Sequence, residues 1–195
     1  MKDFFSLIQF KADKPEKGQL LISEPLLEDP FFKRSVILIV DHSKEEGSVG
    51  LMLNKTTSTQ ISNIIPDFPE INTEVYIGGP VNSNHLYYLH NRQDLLPDSR
   101  KIKEGLFWGG DFEKLKSVIA SGQMTSNQVR FFSGYSGWDK NQLEKELKEK
   151  SWITTKTNIA TILQSLQKNM WKKLLQKMGK RFEIMSRFPE SPALN

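Results

Sequence analysis

The chain has 195 residues, 37% of them apolar and 26% charged, which describes one soluble globular domain able to bury about 70% of its unfolded surface. The absence of cysteine excludes a disulfide framework, a thiol nucleophile and a thiolate metal site. The net charge of +4 is local: residues 1–150 carry 19 Lys and Arg against 21 Asp and Glu, and residues 151–195 carry 8 against 2.

Residues 1–17 read as an N-terminal arm with an apolar patch at Phe4, Phe5, Leu7, Ile8 and Phe10. Ser6 and Gln9 interrupt that patch and no small-residue cleavage site follows, so no signal peptide is expected. Leu20-Leu21-Ile22 reads as a strand closed by Pro25, with a loop from Leu26 to Phe32 broken at Asp29-Pro30. Ser35–Val40 is a β-branched run of the kind found in a central strand covered on both faces, and far short of the ~20 residues of a membrane span. A polar turn, Asp41–Gly47, joins it to a strand at Val49–Leu53, and the pair reads as a hairpin. Ile61, Ile64 and Ile65 predict a short helix stopped by Pro66, and strands are expected at Glu74–Ile77 and Leu86–Leu89.

The second half is more helical. Asp111 predicts an N-cap for a helix over Phe112–Ala120, with Gly122 just past its end. Val129–Phe132 reads as a strand, Gly134–Gly137 as a tight loop, and Asp139 as the cap of a charged helix running to about Lys150. After a strand at Ser151–Thr155, apolar residues from Ile159 to Met178 keep helical spacing and predict one C-terminal amphipathic helix over 158–178. Hairpins mixed with helices, without regular alternation, indicate α+β.

The chemical candidates each carry a bland alternative. Gly134-Tyr135-Ser136-Gly137-Trp138 lacks the second glycine position of a nucleophile elbow and reads as a strand-to-helix loop, with Ser133 and Ser136 kept as candidates. His42, His85 and His90 match no zinc-ligand spacing; His42 and His90 read as strand-end residues. Gly78-Gly79-Pro80 is either an anion cradle or a sharp turn, and no phosphate-loop pattern follows it. The lysines of the last helix form either a solvated face or a phosphate-binding patch. Lys172, Lys173, Lys177 and Lys180 lie in its predicted last turns, where they would offset the negative end of the helix dipole.

Several ordered stretches resemble the AlgH/YqgE family: Glu24-Pro25-Leu26 with Asp29-Pro30-Phe31-Phe32-Lys33-Arg34-Ser35-Val36, Asp41-His42, Gly47 to Lys55, Gly78-Gly79-Pro80-Val81, Leu89-His90, Gly134 to Trp138, Gln142-Leu143-Glu144, Glu146-Leu147 and Trp152. The ending Pro189-x-x-Pro192-x-Leu194-Asn195 resembles a subset of that family. Thr56 stands where proline often follows Asn-Lys, and Asn141 where glycine often precedes Gln-Leu-Glu. The resemblance implies a single domain over 1–195, α+β, built on a bifurcated, partly barrel-like mixed sheet flanked by helices. It also implies a bacterial, cytoplasmic protein; some members carry the label transcriptional regulator, and no catalytic residues come with the family.

The expected function is a non-enzymatic regulatory or binding protein acting through a small ligand or protein partner, with no cofactor, no metal and no membrane association. The binding candidates are Arg34, Asn54, Gly78, Gly79, Pro80, His90 and Trp138, of which all but His90 are expected together at one end of the sheet. Direct nucleic-acid binding through the basic C-terminal helix is the first alternative. An enzyme built on Arg34, Ser35, Asn54, His90 and Ser136 is the second. The oligomeric state is left open.

Overall fold

The computed structural model describes residues 14–164 and 169–189. Its strands are β1 (Leu20–Ser23), β2 (Val36–Ser43), β3 (Gly47–Met52), β4 (Thr56–Gln60), β5 (Glu74–Ile77), β6 (Val81–His90), β7 (Arg100–Lys103), β8 (Leu106–Trp108), β9 (Val129–Trp138) and β10 (Trp152–Thr155). The helices are α1 (Phe112–Ala120), α2 (Gln142–Lys148), α3 (Ile159–Leu163), α4 (Met170–Lys177) and α5 (Lys180–Met185). The N-terminal arm lies outside the described residues up to 13, as does the chain ending from 190.

The fold is α+β. Ten strands form one sheet in the order β10-β1-β2-β3-β9-β6-β8-β7, with β4 and β5 off this path. Strand β9 is the branch point. Its first half lies between β6 and a parallel β5, and its last three residues pair with β3. The sheet therefore forks, and all other pairings are antiparallel. Its two ends curl toward each other: Lys103 on β7 lies against Gly18, ahead of β1, and donates from Nζ to the Thr157 carbonyl, just past β10, at 2.8 Å. No ladder joins β7 to β10 among the described residues, so the curl stays open.

Alternation within each strand sorts the apolar residues onto two faces. Leu20, Ile22, Val36, Leu38, Val40, Leu51 and Leu53 point into the curl, where α3, α4 and α5 close over them with Ile162, Leu163, Trp171, Leu174 and Leu175. Leu21, Ile37, Ile39 and Met52 point outward beneath Leu143 and Leu147 of α2. A third core lies between α1 and the Tyr88, Val129 and Phe131 face of β6 and β9. Strand β2 is thus fully buried on both faces from Val36 to Val40, as its β-branched run predicts.

Several local expectations are corrected. Gly134–Gly137 is not a loop; β9 continues through it to Trp138, because β3 and β6 supply ladder partners on both sides. Strand β2 runs on to Ser43, and β6 begins at Val81, with the chain from Asn82 to His85 bulging opposite Gly134. The predicted Ile61–Ile65 helix is a single 3-10 turn, Ile61–Asn63. Strands β4, β7 and β8 are found where none is expected: β4 and β7 are short, polar segments that carry little period-two signal, and β8 spans only three residues. Asp111 caps α1 as predicted, accepting from the Lys114 N–H. Asp139 does not cap α2; Asn141 takes the N-cap position without a side-chain capping bond, at φ 64°, a left-handed conformation asparagine tolerates and glycine takes freely.

The largest correction concerns the predicted 158–178 helix, which is not continuous. Asn158 opens it as expected, its Oδ1 accepting from the Thr161 N–H at 2.8 Å, but Gln164 turns extended (ψ 137°) and Asn169 left-handed (φ 69°). Periodicity reports which residues face inward and is blind to a break that preserves the facing. No described helix is long and apolar enough to cross a membrane.

Candidate functional site

Arg34 precedes β2 and Asn54 follows β3, so the antiparallel pairing sets them side by side. Leu53 N–H donates to the Val36 carbonyl at 2.7 Å, closing the last backbone rung. Beyond it, Asn54 Oδ1 accepts from Val36 N–H at 2.8 Å and Nδ2 donates to the Arg34 carbonyl at 2.7 Å. The carboxamide stands in for a peptide group and extends the ladder by one rung. It also holds Arg34 at φ 51°, a conformation L-residues other than Asn and Asp seldom keep.

From that backbone the Arg34 guanidinium lies 4.9 Å over the Trp171 ring of α4 and donates to the Phe188 carbonyl. Trp171 Nε1 donates in turn to the Ser23 carbonyl at 2.8 Å, and Ser23 Oγ accepts from Ser35 N–H at 2.9 Å. Next to Asn54, half-buried Lys55 donates to the Phe31 carbonyl and sits 5.6 Å over the Phe31 ring. Burial lowers its ammonium pKa from the usual lysine range, and the Asp29 carboxylate opposes that shift.

Arg130 on β9 completes the corner, and the sequence reading does not single it out. It is 2% exposed, inside the curl, and donates to the Leu53 carbonyl and to the Ile162 carbonyl (2.7 Å) at the end of α3. Among the described residues no carboxylate pairs with it, and its Nε finds no hydrogen-bond partner. Burial pushes its pKa down to about 10, which leaves it charged at neutral pH. The signal was a lone arginine in the apolar run Val129-Arg130-Phe131-Phe132, sharing the parity of inward-facing Phe132.

Gly78 and Gly79 cross β9 at backbone contact. Gly78 takes the Met52 N–H on its carbonyl (2.9 Å) and gives its own N–H to the Ser133 carbonyl (2.8 Å), while a Cβ on Gly79 would stand 2.0 Å from the Tyr135 carbonyl carbon. These glycines serve close approach at the fork, and exposed Pro80 follows them. Ser136 is buried with Oγ donating to the Gly78 carbonyl at 3.1 Å, so it is no strand-to-helix nucleophile.

Two candidates lie elsewhere. Trp138 pairs with Ser48, six residues back along the chain from Asn54, and faces the α2 side of the sheet. There Trp138 Nε1 (2.9 Å) and Trp152 Nε1 (2.7 Å) both donate to Glu146 Oε2. His90, fully buried, stacks on Phe107; its Nδ1 takes the Arg92 N–H (3.2 Å) and its Nε2 faces the Gly109 carbonyl (3.2 Å). That pair of partners selects the neutral Nε2–H tautomer, and burial lowers its pKa to about 4. His42 Nδ1 meets Ser48 Oγ at 2.9 Å as a cross-strand pair, but Ser48 is only 4% exposed, and Asp41 accepts from the His42 backbone N–H instead of orienting the ring. A cleft of about 530 Å³ opens beside α3, its polar lining the carboxamides of Asn91, Asn127 and Gln164. No cluster of three or more His, Asp or Glu able to hold a metal occurs among the described residues.

The fold and this corner can be set beside known proteins. A family model described as AlgH-like matches residues 20–183. The chain belongs to the AlgH-like family. It is 43% identical over 189 residues to a UPF0301 protein of Bacteroides thetaiotaomicron, covering 96% of this chain and 95% of that one. A UPF0301 protein of Cytophaga hutchinsonii is 41% identical over 181 residues, 92% of this chain and 98% of the relative. Two solved structures share the fold. A Corynebacterium diphtheriae protein superposes with a TM-score of 0.76 at 22% identity, covering 92% of this chain and 95% of its own. The solution structure of the AlgH protein from Pseudomonas aeruginosa gives 0.69 at 23% identity, covering 92% and 98%.

Proposed function

We propose that this protein is a non-enzymatic regulatory binding protein of the cytoplasm, and that the corner around Arg34 receives the acidic group of a small ligand or of a protein partner. One observation carries this reading: Arg34 is held at a strained φ of 51° by the Asn54 carboxamide, with its guanidinium supported on Trp171. Strain of that kind persists only where the surroundings over-determine it, and here it aims a planar donor fork. A carboxylate or phosphate is the group such a fork bonds best, through charge-assisted bonds roughly twice as strong as neutral ones. The polar side chains considered for catalysis support binding over turnover, because Ser136 and His90 are committed to backbone partners.

The test is an NMR titration of the full chain with inorganic phosphate and with succinate. The reading expects saturable shifts at the Trp171 indole and at Arg34, Asn54 and Lys55 amides, lost in Arg34→Gln. Shifts absent from the wild type, or equal in that variant, would overturn it.

A further inference from the structure

The break in the C-terminal helix changes what its lysines mean. In one continuous helix, Lys172, Lys173, Lys177 and Lys180 would all sit near the carbonyl end, where a cation stabilises the dipole. In the structure only Lys177 occupies a last turn. Lys172 and Lys173 fall in the first turns of α4, which holds no acidic residue there, and Lys180 and Arg181 open α5. Those are the positive ends of their helices, so the dipole now disfavours the charges it was expected to explain. Lys173 and Lys177 are also a like-charged i,i+4 pair, which is mildly destabilising in itself. None of the four lysines has an ion pair among the described residues. Met170, Trp171, Leu174 and Leu175 of α4 are buried against the curl, so the lysines must face outward. All four are exposed.

We infer that this outer face of α4 and α5 binds the phosphate backbone of double-stranded nucleic acid without reading sequence. The chemistry of the face selects that partner. Lysine ammoniums are point charges that need no bidentate geometry, which suits phosphate oxygens along a duplex. No aromatic side chain of α4 is available to stack on unpaired bases, since Trp171 is 3% exposed. The apolar stripe that would enter a bilayer is already used against the sheet, leaving Ile184 as the exposed large apolar residue of the cap. An acidic protein would want a buried aromatic anchor that this face does not present. The surface lies on the far side of α4 from the Arg34 corner and stands independently of the role proposed for it.

The experiment is fluorescence anisotropy of a labelled mixed-sequence DNA duplex with the full chain, at low and at physiological salt. Four neutralised phosphates predict a log–log salt slope of about −3.6, so a fourfold rise in salt weakens binding by roughly a hundredfold. Replacing Lys172, Lys173, Lys177 and Lys180 with glutamine together is expected to abolish binding and slope without lowering the melting temperature. A control on α2, Lys145→Gln with Lys148→Gln, should bind as the wild type does. No binding at low salt, equal binding by the quadruple variant, equal loss in the control, or binding to phosphatidylserine vesicles with none to the duplex would each overturn the inference.

Discussion

The guanidinium carbon of Arg130 sits 3.7 Å from the centroid of the Tyr76 ring, inside the curl of the sheet and out of water. Its hydrogen bonds reach the Leu53 carbonyl, beside Asn54, and the Ile162 carbonyl, so one side chain ties the fork, the Arg34 corner and the helical cap together. Removing it leaves two carbonyls without their donor and a void beneath α3. Arg130→Ala is expected to lower stability by about 4 kcal/mol in urea denaturation, and Arg130→Met, which keeps the volume without a buried charge, by about half that. A loss below about 1 kcal/mol for the alanine variant would show that the tie is dispensable.

Asn54 and Arg34 separate structure from binding. Asn54→Ala strands the Val36 N–H and the Arg34 carbonyl, for an expected loss of about 2 kcal/mol. Arg34→Gly relaxes the positive φ and should leave stability within about 1 kcal/mol of wild type while abolishing the phosphate-induced shift of the Trp171 indole. Equal stability losses in the two variants would contradict this division.

Glu146 holds two indoles on one oxygen. Glu146→Ala is expected to lose about 2 kcal/mol and to shift tryptophan emission as Trp138 and Trp152 lose their acceptor; Glu146→Gln, which keeps an acceptor, should lose about half as much. Unchanged emission in the alanine variant would show that these bonds do not order the pair.

His90 makes stability depend on pH. Its folded pKa of about 4 lies below the ordinary value of 6.5, so between those values the unfolded chain binds the extra proton. The contribution is complete above about pH 6.5 and is lost as pH falls toward 4, by up to roughly 3 kcal/mol. The difference in unfolding free energy between wild type and His90→Gln, measured from pH 7 to pH 4, should therefore shrink in acid. A difference constant with pH would mean that His90 titrates normally.

A chain ended after Lys156 loses α3, α4 and α5 and uncovers the interior of the curl. It is expected to be less stable and to aggregate, read by light scattering and by binding of a hydrophobic dye. A monomeric, equally stable product would mean that the cap does not complete the core.

The sequence alone determined the α+β class, the β2–β3 hairpin, the Asp111-capped helix and the neighbourhood of Arg34 and Asn54, because each depends on contacts between residues close in the chain or on a simple alternation. Only the tertiary structure decided the rest. Gly134 to Trp138 became strand because β3 and β6 offered ladder partners on both sides. Trp138 left the corner because its register opposite Ser48 placed it on the α2 face of the sheet. Arg130 entered it because three segments far apart in sequence converge on one buried guanidinium. The C-terminal lysines changed their relation to the helix dipole because a helical period survives a broken helix, whereas the dipole does not.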